Sequence, residues 1–323
     1  MGVMAMPRTD RVLLLDPIDP VGVARLSEAV EVVRSPERSS PRFLEEVARC
    51  HGLILRSRLP ADFIGSARCL RAIAIHGSGS DWVDLDAARA RGIAVSNVPG
   101  GNARSVAEYC LMALLMLARR MPAASAATSR GHWMDARALA AQAVELHGLT
   151  LGIVGLGSIG RLLARMAHGG LGMRVLGYSP SQRFAEDGSF VAATLERLFQ
   201  ESDAVVLACP LTPQTRHLVQ QRTLAWMKPT AWLINASRGA VVDQQALVDA
   251  LRTGVIAAAV LDVYEHDKVE AGDPLLSLDN VVLTPHFAGS TVQARQRMAL
   301  AVAEDMLHML AGRPPGHLAT ARP

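Results

Sequence analysis

The stretch Leu151-Gly152-Ile153-Val154-Gly155-Leu156-Gly157-Ser158-Ile159-Gly160 decides how the rest of the chain is read. A short apolar run, suited to a strand buried on both faces, meets a glycine turn. A helical pattern then opens, with Ile159, Leu162, Leu163 and Met166 on one face. In this setting GxGxxG has physical meaning. Gly155 makes the tight turn, Gly157 lets the backbone approach a pyrophosphate, and Gly160 lets helix and strand pack closely. The first helical turn, from Ser158 and Ile159, offers free N–H groups and the positive end of the helix dipole to phosphate. The reading is a dinucleotide site at a strand–turn–helix junction.

Working outward, short apolar runs alternate with helical segments on both sides. Before the glycine motif, strands are predicted over 11–15, 30–33, 52–55, 71–75 and 93–95. After it they fall at 174–177, 204–208, 231–234, 257–261 and 281–283. Helices separate most of them, and this spacing implies parallel α/β sheets. Pro99-Gly100-Gly101 breaks the pattern, and Asn102 opens a long helix with Val106, Cys110, Leu114 and Leu117 on one stripe. That stripe suits either core or a dimer surface. The final helix, 292–310, has no strand after it. The expected organisation is therefore a discontinuous domain of 1–101 plus 290–323 around a central domain of 102–289.

With 323 residues, the chain is long enough for two domains with cores of their own. A formal charge of +3 and no basic block argue against nucleic acid as a partner. Cys50, Cys69, Cys110 and Cys209 are widely spaced without metal-ligand spacing, and read as buried free thiols. The first ten residues lack the apolar core of a signal peptide, and the apolar helical stretch 110–118 is too short for a bilayer. A cytoplasmic enzyme with no membrane partner is expected.

Ligands of open α/β sheets sit beyond the carboxyl ends of strands. Ser237-Arg238-Gly239, Asp262 with Glu265 and Asp267, His286, and His76-Gly77-Ser78-Gly79 all follow predicted strands. Arginine clamps a carboxylate in bidentate fashion. Histidine moves a proton near neutral pH, and a carboxylate orients the imidazole and favours its charged form. An anionic carbonyl compound fits this set. Cys209-Pro210 would line the cofactor cleft through its backbone. Trp82 and Trp133 read as packing residues.

Taken together, these pieces resemble the D-isomer-specific 2-hydroxyacid dehydrogenase family, which includes phosphoglycerate, glyoxylate and hydroxypyruvate reductases. The likeness runs from about 53 to 317. It rests on Gly77-Ser78-Gly79 with Asp84, the run 102–108, the glycine motif, Asn235-Ala236-Ser237-Arg238-Gly239, Leu261-Asp262-Val263-Tyr264-Glu265, and Thr284-Pro285-His286 with Gly289 and Thr291. The resemblance implies two doubly wound domains, a Rossmann cofactor domain and a flavodoxin-like substrate domain, with a cleft between them. It implies that Arg238 binds the substrate carboxylate and polarises the keto oxygen, and that His286 is the general acid/base. The family's histidine partner is a glutamate before a proline. Here that place holds Asp267 followed by Lys268, with Glu265 as a competing carboxylate. Arg56, Ser78 and Gly79 would contact substrate, and Ala236 and Asp262 the cofactor, with Asp262 on the nicotinamide amide.

In NAD enzymes of this fold an acidic residue about 20 positions past the glycines accepts from the ribose 2′-OH. Ser179 stands there instead, with Arg183 four residues further on. A neutral acceptor and a nearby cation suit a 2′-phosphate, so NADP(H) is expected to be preferred and NAD(H) to be accepted. The expected activity is reduction of a small 2-keto acid by a homodimer. The alternatives are a phosphoglycerate dehydrogenase and a dinucleotide-sensing regulator resembling the C-terminal-binding-protein corepressors.

Overall fold

The computed structural model describes residues 10–37, 40–59, 63–180 and 187–319. The chain divides into two compact units, Met1–Asn102 with Ser290–Pro323 and Ala103–Gly289. In the first unit, β1 (Arg11–Leu14), β2 (Glu31–Arg34), β3 (Gly52–Leu55), β4 (Ala72–Ile75) and β5 (Ala94–Ser96) form one parallel sheet. Its order is β2-β1-β3-β4-β5, the flavodoxin order. β3 and β4 are buried along their whole length. Their sequences, GLIL and AIAI, are therefore apolar without alternation.

Helix Val292–Leu310 lies on this sheet. Ala294, Met298, Val302 and Met306 share a core with Val12, Leu14, Ile54 and Ala74. The helix starts at Thr291, whose hydroxyl accepts the Ala294 N–H at 3.2 Å. It also packs on helix Pro20–Ser27, where Arg25 grips Glu304 through Nε (2.6 Å) and Nη2 (3.2 Å).

The second unit holds seven parallel strands: β6 (Thr150–Val154), β7 (Arg174–Tyr178), β8 (Val191–Ala192), β9 (Ala204–Leu207), β10 (Trp232–Asn235), β11 (Ala258–Leu261) and β12 (Val281–Leu283). The order β8-β7-β6-β9-β10-β11-β12 is the Rossmann order with one further strand. The two-residue period of a strand distributes the core between its faces. Val205 and Leu207 join helices Leu195–Glu201 and Gln244–Arg252 on one side. Val206 and Ile153 join helices Ala103–Ala118 and Ser158–Leu171 on the other. β6 and β9 are neighbours though separated in sequence, so chain direction across the sheet reverses there. That switch point is where a crevice opens in such sheets.

Two departures from the sequence reading stand out. The span 121–142, for which the sequence reading specifies no element, holds helices Met121–Ser129 and Trp133–Ala138 and a 3₁₀ turn, Leu139–Gln142. None of their residues is buried, so they carry no core-facing stripe to read. The edge strand β8 is too short to leave an apolar run. In helix Ala103–Ala118, Val106, Cys110 and Leu114 are core, whereas Met112 and Leu115 on other faces are exposed. Among the described residues, no single helix is long and apolar enough to cross a membrane.

Candidate functional site

The glycine loop joins β6 to helix Ser158–Leu171. Gly155 has φ 102°, and a Cβ there would lie 2.6 Å from the Cys209 amide nitrogen at the end of β9. Only glycine satisfies both conditions. A Cβ at Gly160 would collide with the Gly155 carbonyl, whereas one at Gly157 would meet nothing within 4 Å. The second glycine thus faces open space, where a pyrophosphate would approach the backbone. Gly157 caps the helix without a side-chain hydrogen bond, so the first amides are left for a ligand. These features fit a dinucleotide: the cradle is bare where phosphate would lie and tight where the chain must turn.

The loop after β10 organises Arg238. Asn235 is buried and folds its amide over the loop. Its Oδ1 accepts from Ser237 N–H (3.1 Å) and Ser237 Oγ (2.9 Å), and its Nδ2 donates to the Arg238 carbonyl (3.0 Å). Arg238 itself is half-buried, with Nη1 donating to the Ser237 carbonyl at 2.9 Å. Gly239 packs so closely on the next loop that a Cβ would overlap the Tyr264 carbonyl. The arginine loop and the carboxylate loop after β11 are therefore set against each other by backbone contact.

Asp262 governs the histidine loop after β12. Its buried carboxylate accepts from Thr284 Oγ1 (2.7 Å) and Phe287 N–H (2.9 Å) on Oδ1, and from Ala288 N–H (2.9 Å) on Oδ2. Oδ2 keeps capacity for one more donor. His286 N–H bonds the Asp262 carbonyl at 2.9 Å, and the residue adopts φ 52°. Left-handed backbone at a non-glycine residue costs energy and clusters at functional sites. The His286 side chain is exposed.

Asp267 is also left-handed, at φ 64°, with its N–H on the Tyr264 carbonyl and its side chain exposed. Lys268 pairs with Glu270 at 3.0 Å. The other candidate carboxylate, Glu265, has a different engagement. Its Oε1 lies 2.6 Å from His217 Nε2, and its Oε2 accepts from the Gln244 N–H at 3.2 Å. His217, at φ 50°, escaped the sequence reading because its partner lies 48 residues away in the chain.

In the first unit, Arg56 follows β3. Its N–H and the Ser57 hydroxyl both donate to Asp16 Oδ2, at 2.6 and 2.7 Å. Its Nη2 lies 3.5 Å from Ser290 Oγ. Ser78 and Gly79 sit in the loop after β4. Asn97 Nδ2 donates to the Ser78 carbonyl (2.9 Å), and Ser78 Oγ lies 3.0 Å from Asn102 Oδ1. His76, in the same loop, is buried with no hydrogen-bond partner for either ring nitrogen. Burial, and next the Arg56 cation, push its pKa down to about 4.

Ser179 lies one residue past β7 and is half-buried. Arg183 lies outside the described residues. Cys209 is buried, its thiol pushed up to about 11 by desolvation, and Pro210 accepts from the Thr215 hydroxyl at 2.7 Å. Cys50 and Cys110 are buried with thiols raised to about 12, but Cys69 is exposed, against the expectation. Trp82 packs on the first unit's core, whereas Trp133 is exposed rather than a packing residue. Among the described residues, no group of His, Cys, Asp or Glu is arranged to hold a metal ion.

Comparison with known proteins bears on these loops directly. Residues 111–288 match the family model described as D-isomer specific 2-hydroxyacid dehydrogenase, NAD binding domain. The chain is 38% identical over 316 residues to a glyoxylate reductase of Korarchaeum cryptofilum, covering 95% of each chain. It is 36% identical to a D-3-phosphoglycerate dehydrogenase of Methanocaldococcus jannaschii, of which it spans 58%. Among solved structures it is similar to an NADPH-dependent glyoxylate/hydroxypyruvate reductase of Sinorhizobium meliloti in complex with NADP and malonate. There the identity is 30% and the TM-score 0.85, with 96% of this chain and 97% of the other covered.

Proposed function

Because the chain belongs to the D-isomer specific 2-hydroxyacid dehydrogenase family and is an NAD(P)-dependent oxidoreductase acting on CH–OH donors, we propose that it reduces small 2-keto acids of the glyoxylate and hydroxypyruvate type to D-2-hydroxy acids. One observation carries this reading. The second unit gathers the glycine cradle, Arg238 and His286 on loops at the carboxyl ends of alternate strands of one parallel sheet, β6, β10 and β12, with Asp262, buried after the intervening β11, clamping the histidine loop.

When bound, the nicotinamide dinucleotide supplies or accepts the hydride. Residues Gly155 to Gly160 would hold its pyrophosphate through backbone N–H groups, Ala236, Cys209 and Pro210 would border it, and Asp262 would accept from its amide. Arg238 binds the substrate carboxylate and polarises the keto oxygen through its guanidinium. His286 gives its proton to that oxygen in reduction and recovers it in oxidation. Asp267 is the carboxylate assigned to orient the imidazole. Glu265 is the weaker candidate for this role, since His217 and Gln244 already engage its two oxygens. In the first unit, Arg56 and the Ser78 and Gly79 amides serve substrate recognition, which makes that unit the substrate domain.

We further read NADP(H) as the preferred cofactor and NAD(H) as accepted. Ser179 follows the strand at the place where an acidic residue would repel a 2′-phosphate, and Arg183 comes four residues later in the sequence. A second copy of the chain suits the apolar groove lined by Met112, Leu115, Met116 and Met121 beside the helices without buried residues. Free thiols favour a reducing, cytoplasmic compartment. Steady-state rates with glyoxylate, hydroxypyruvate, phosphohydroxypyruvate and an aryl pyruvate, each with both cofactors, test the substrate assignment. Highest kcat/KM on glyoxylate or hydroxypyruvate is expected. A marked preference for phosphohydroxypyruvate or the aryl pyruvate would displace the reading.

A further inference from the structure

Tyr109 lies on helix Ala103–Ala118 and is buried against the sheet of the second unit. It has no part in the chemistry described above. Its hydroxyl lies 2.7 Å from Thr284 Oγ1, and Thr284 Oγ1 lies 2.7 Å from Asp262 Oδ1. The direction of these bonds follows from the donor inventory. A carboxylate only accepts, and threonine has a single hydroxyl hydrogen. Thr284 must spend that hydrogen on Asp262, so Tyr109 must donate to Thr284. The chain runs one way: Tyr109 O–H to Thr284 O–H to Asp262 carboxylate. Each donor in such a series polarises the next.

Several features tie this series to His286. Asp262 is the acceptor for the Phe287 and Ala288 amides immediately after the histidine. The Thr284 carbonyl accepts from the Tyr264 hydroxyl (2.8 Å) and from the His286 N–H (3.1 Å). Thr284 is thus held at its side chain by one tyrosine and at its carbonyl by another. The ring of Tyr109 meets that of Phe287 edge-on, with centroids 5.9 Å apart at 81°. Every polar atom of this network has a partner, so the turn carrying His286 at φ 52° is fixed from beneath. Burial pushes the Tyr109 hydroxyl up to about 12, so it remains a donor across the working pH range.

We propose that Tyr109 is a positioning residue for the reaction: through Thr284 and Asp262 it holds the left-handed turn that aims the His286 imidazole. The inference rests on the reading of His286 as the acid/base. It gives Tyr109 a role mainly in rate, because the hydroxyl acts through Thr284 on Asp262 Oδ1 and the turn, and leaves the glycine cradle and the opposite oxygen, Oδ2, in place.

The test is a double-mutant cycle in the full-length enzyme, measuring kcat, KM for glyoxylate, and the NADPH dissociation constant. Tyr109→Phe removes one hydroxyl and keeps the ring on Phe287. It should lower kcat about five- to tenfold, the scale of one net hydrogen bond felt at the reacting geometry, and leave NADPH affinity unchanged. Thr284→Val should reproduce that loss and Thr284→Ser should restore most of the rate, since serine keeps the hydroxyl. The double variant Tyr109→Phe/Thr284→Val should be no slower than Thr284→Val alone, because residues in one chain are not additive. If Tyr109→Phe proves unstable, the contrast between Thr284→Val and Thr284→Ser decides the matter alone. Unchanged kcat in Tyr109→Phe, equal rates for the Val and Ser variants, or additive losses would overturn the proposal. His286→Ala run alongside separates the two readings: if that variant keeps full activity, the acid/base assignment itself has failed.

Discussion

His76 gives a quantitative prediction from burial and one neighbouring charge. The residue immediately follows β4, is 3% exposed, and lies beside Arg56. Its pKa falls from 6.5 to about 4, through desolvation first and the Arg56 cation second, with weaker opposing pulls from neighbouring backbone and Asp16. A base whose folded pKa is depressed binds fewer protons in the folded state than in the unfolded state. Stability is therefore full above the unfolded pKa near 6.5 and is lost as pH falls towards about 4. Integrated from pH 7.5 to pH 4.5, this shift removes about 2–3 kcal/mol. His76→Leu removes the titrating group and leaves no buried ring nitrogen without a partner. Equilibrium urea unfolding of both proteins at several pH values isolates the effect, because other titrating groups cancel in the difference. The wild type should lose about 2–3 kcal/mol more than His76→Leu over that interval, and the two should converge in slope above pH 7. Parallel curves through the whole range would refute the reasoning, since they would mean that the imidazole is not held neutral by its surroundings.

The remaining predictions concern the catalytic loops and the cofactor. Asp267→Asn should move the alkaline limb of the reductive pH–rate profile to lower pH, because a neighbouring carboxylate favours a charged imidazole. An unmoved profile removes Asp267 from the pair. Gly239→Ala forces a Cβ into the Tyr264 carbonyl, so urea unfolding should show a loss of about 1–3 kcal/mol and kcat should fall with it. A variant with wild-type stability and rate would contradict the close packing of the two loops. Ser179→Asp should reverse the NADPH/NADH ratio of kcat/KM, with NADPH losing about tenfold or more, the scale of a charge-assisted hydrogen bond. Wild-type enzyme already preferring NADH would dispose of that idea.

The parallel sheets were legible because strands covered on both faces must be apolar throughout. Leu53 to Leu55 and Ala204 to Leu207 advertise themselves in that way. The glycine loop was legible for a different reason. Gly155 and Gly160 face backbone at distances no side chain tolerates, so physics leaves only one residue type there. Helices Met121–Ser129 and Trp133–Ala138 were illegible because they bury nothing and so have no stripe. Arg238, Asp262 and His286 could be located at strand ends by counting. What holds them could not. Asn235 was visible as part of a motif, but its fold-back onto Ser237 and Arg238 is a matter of rotamer and not of sequence. His217 and Tyr109 reach partners 48 and 175 residues away, and no periodicity reports such pairings.

The most direct test of the central claim is the rate at which wild type and His286→Ala oxidise NADPH in the presence of glyoxylate, with NADPH affinity measured separately by fluorescence titration. His286→Ala should lower kcat by about 10²–10⁴, the range for losing a general acid, and leave the dissociation constant for NADPH unchanged. A variant turning over at the wild-type rate would contradict that claim.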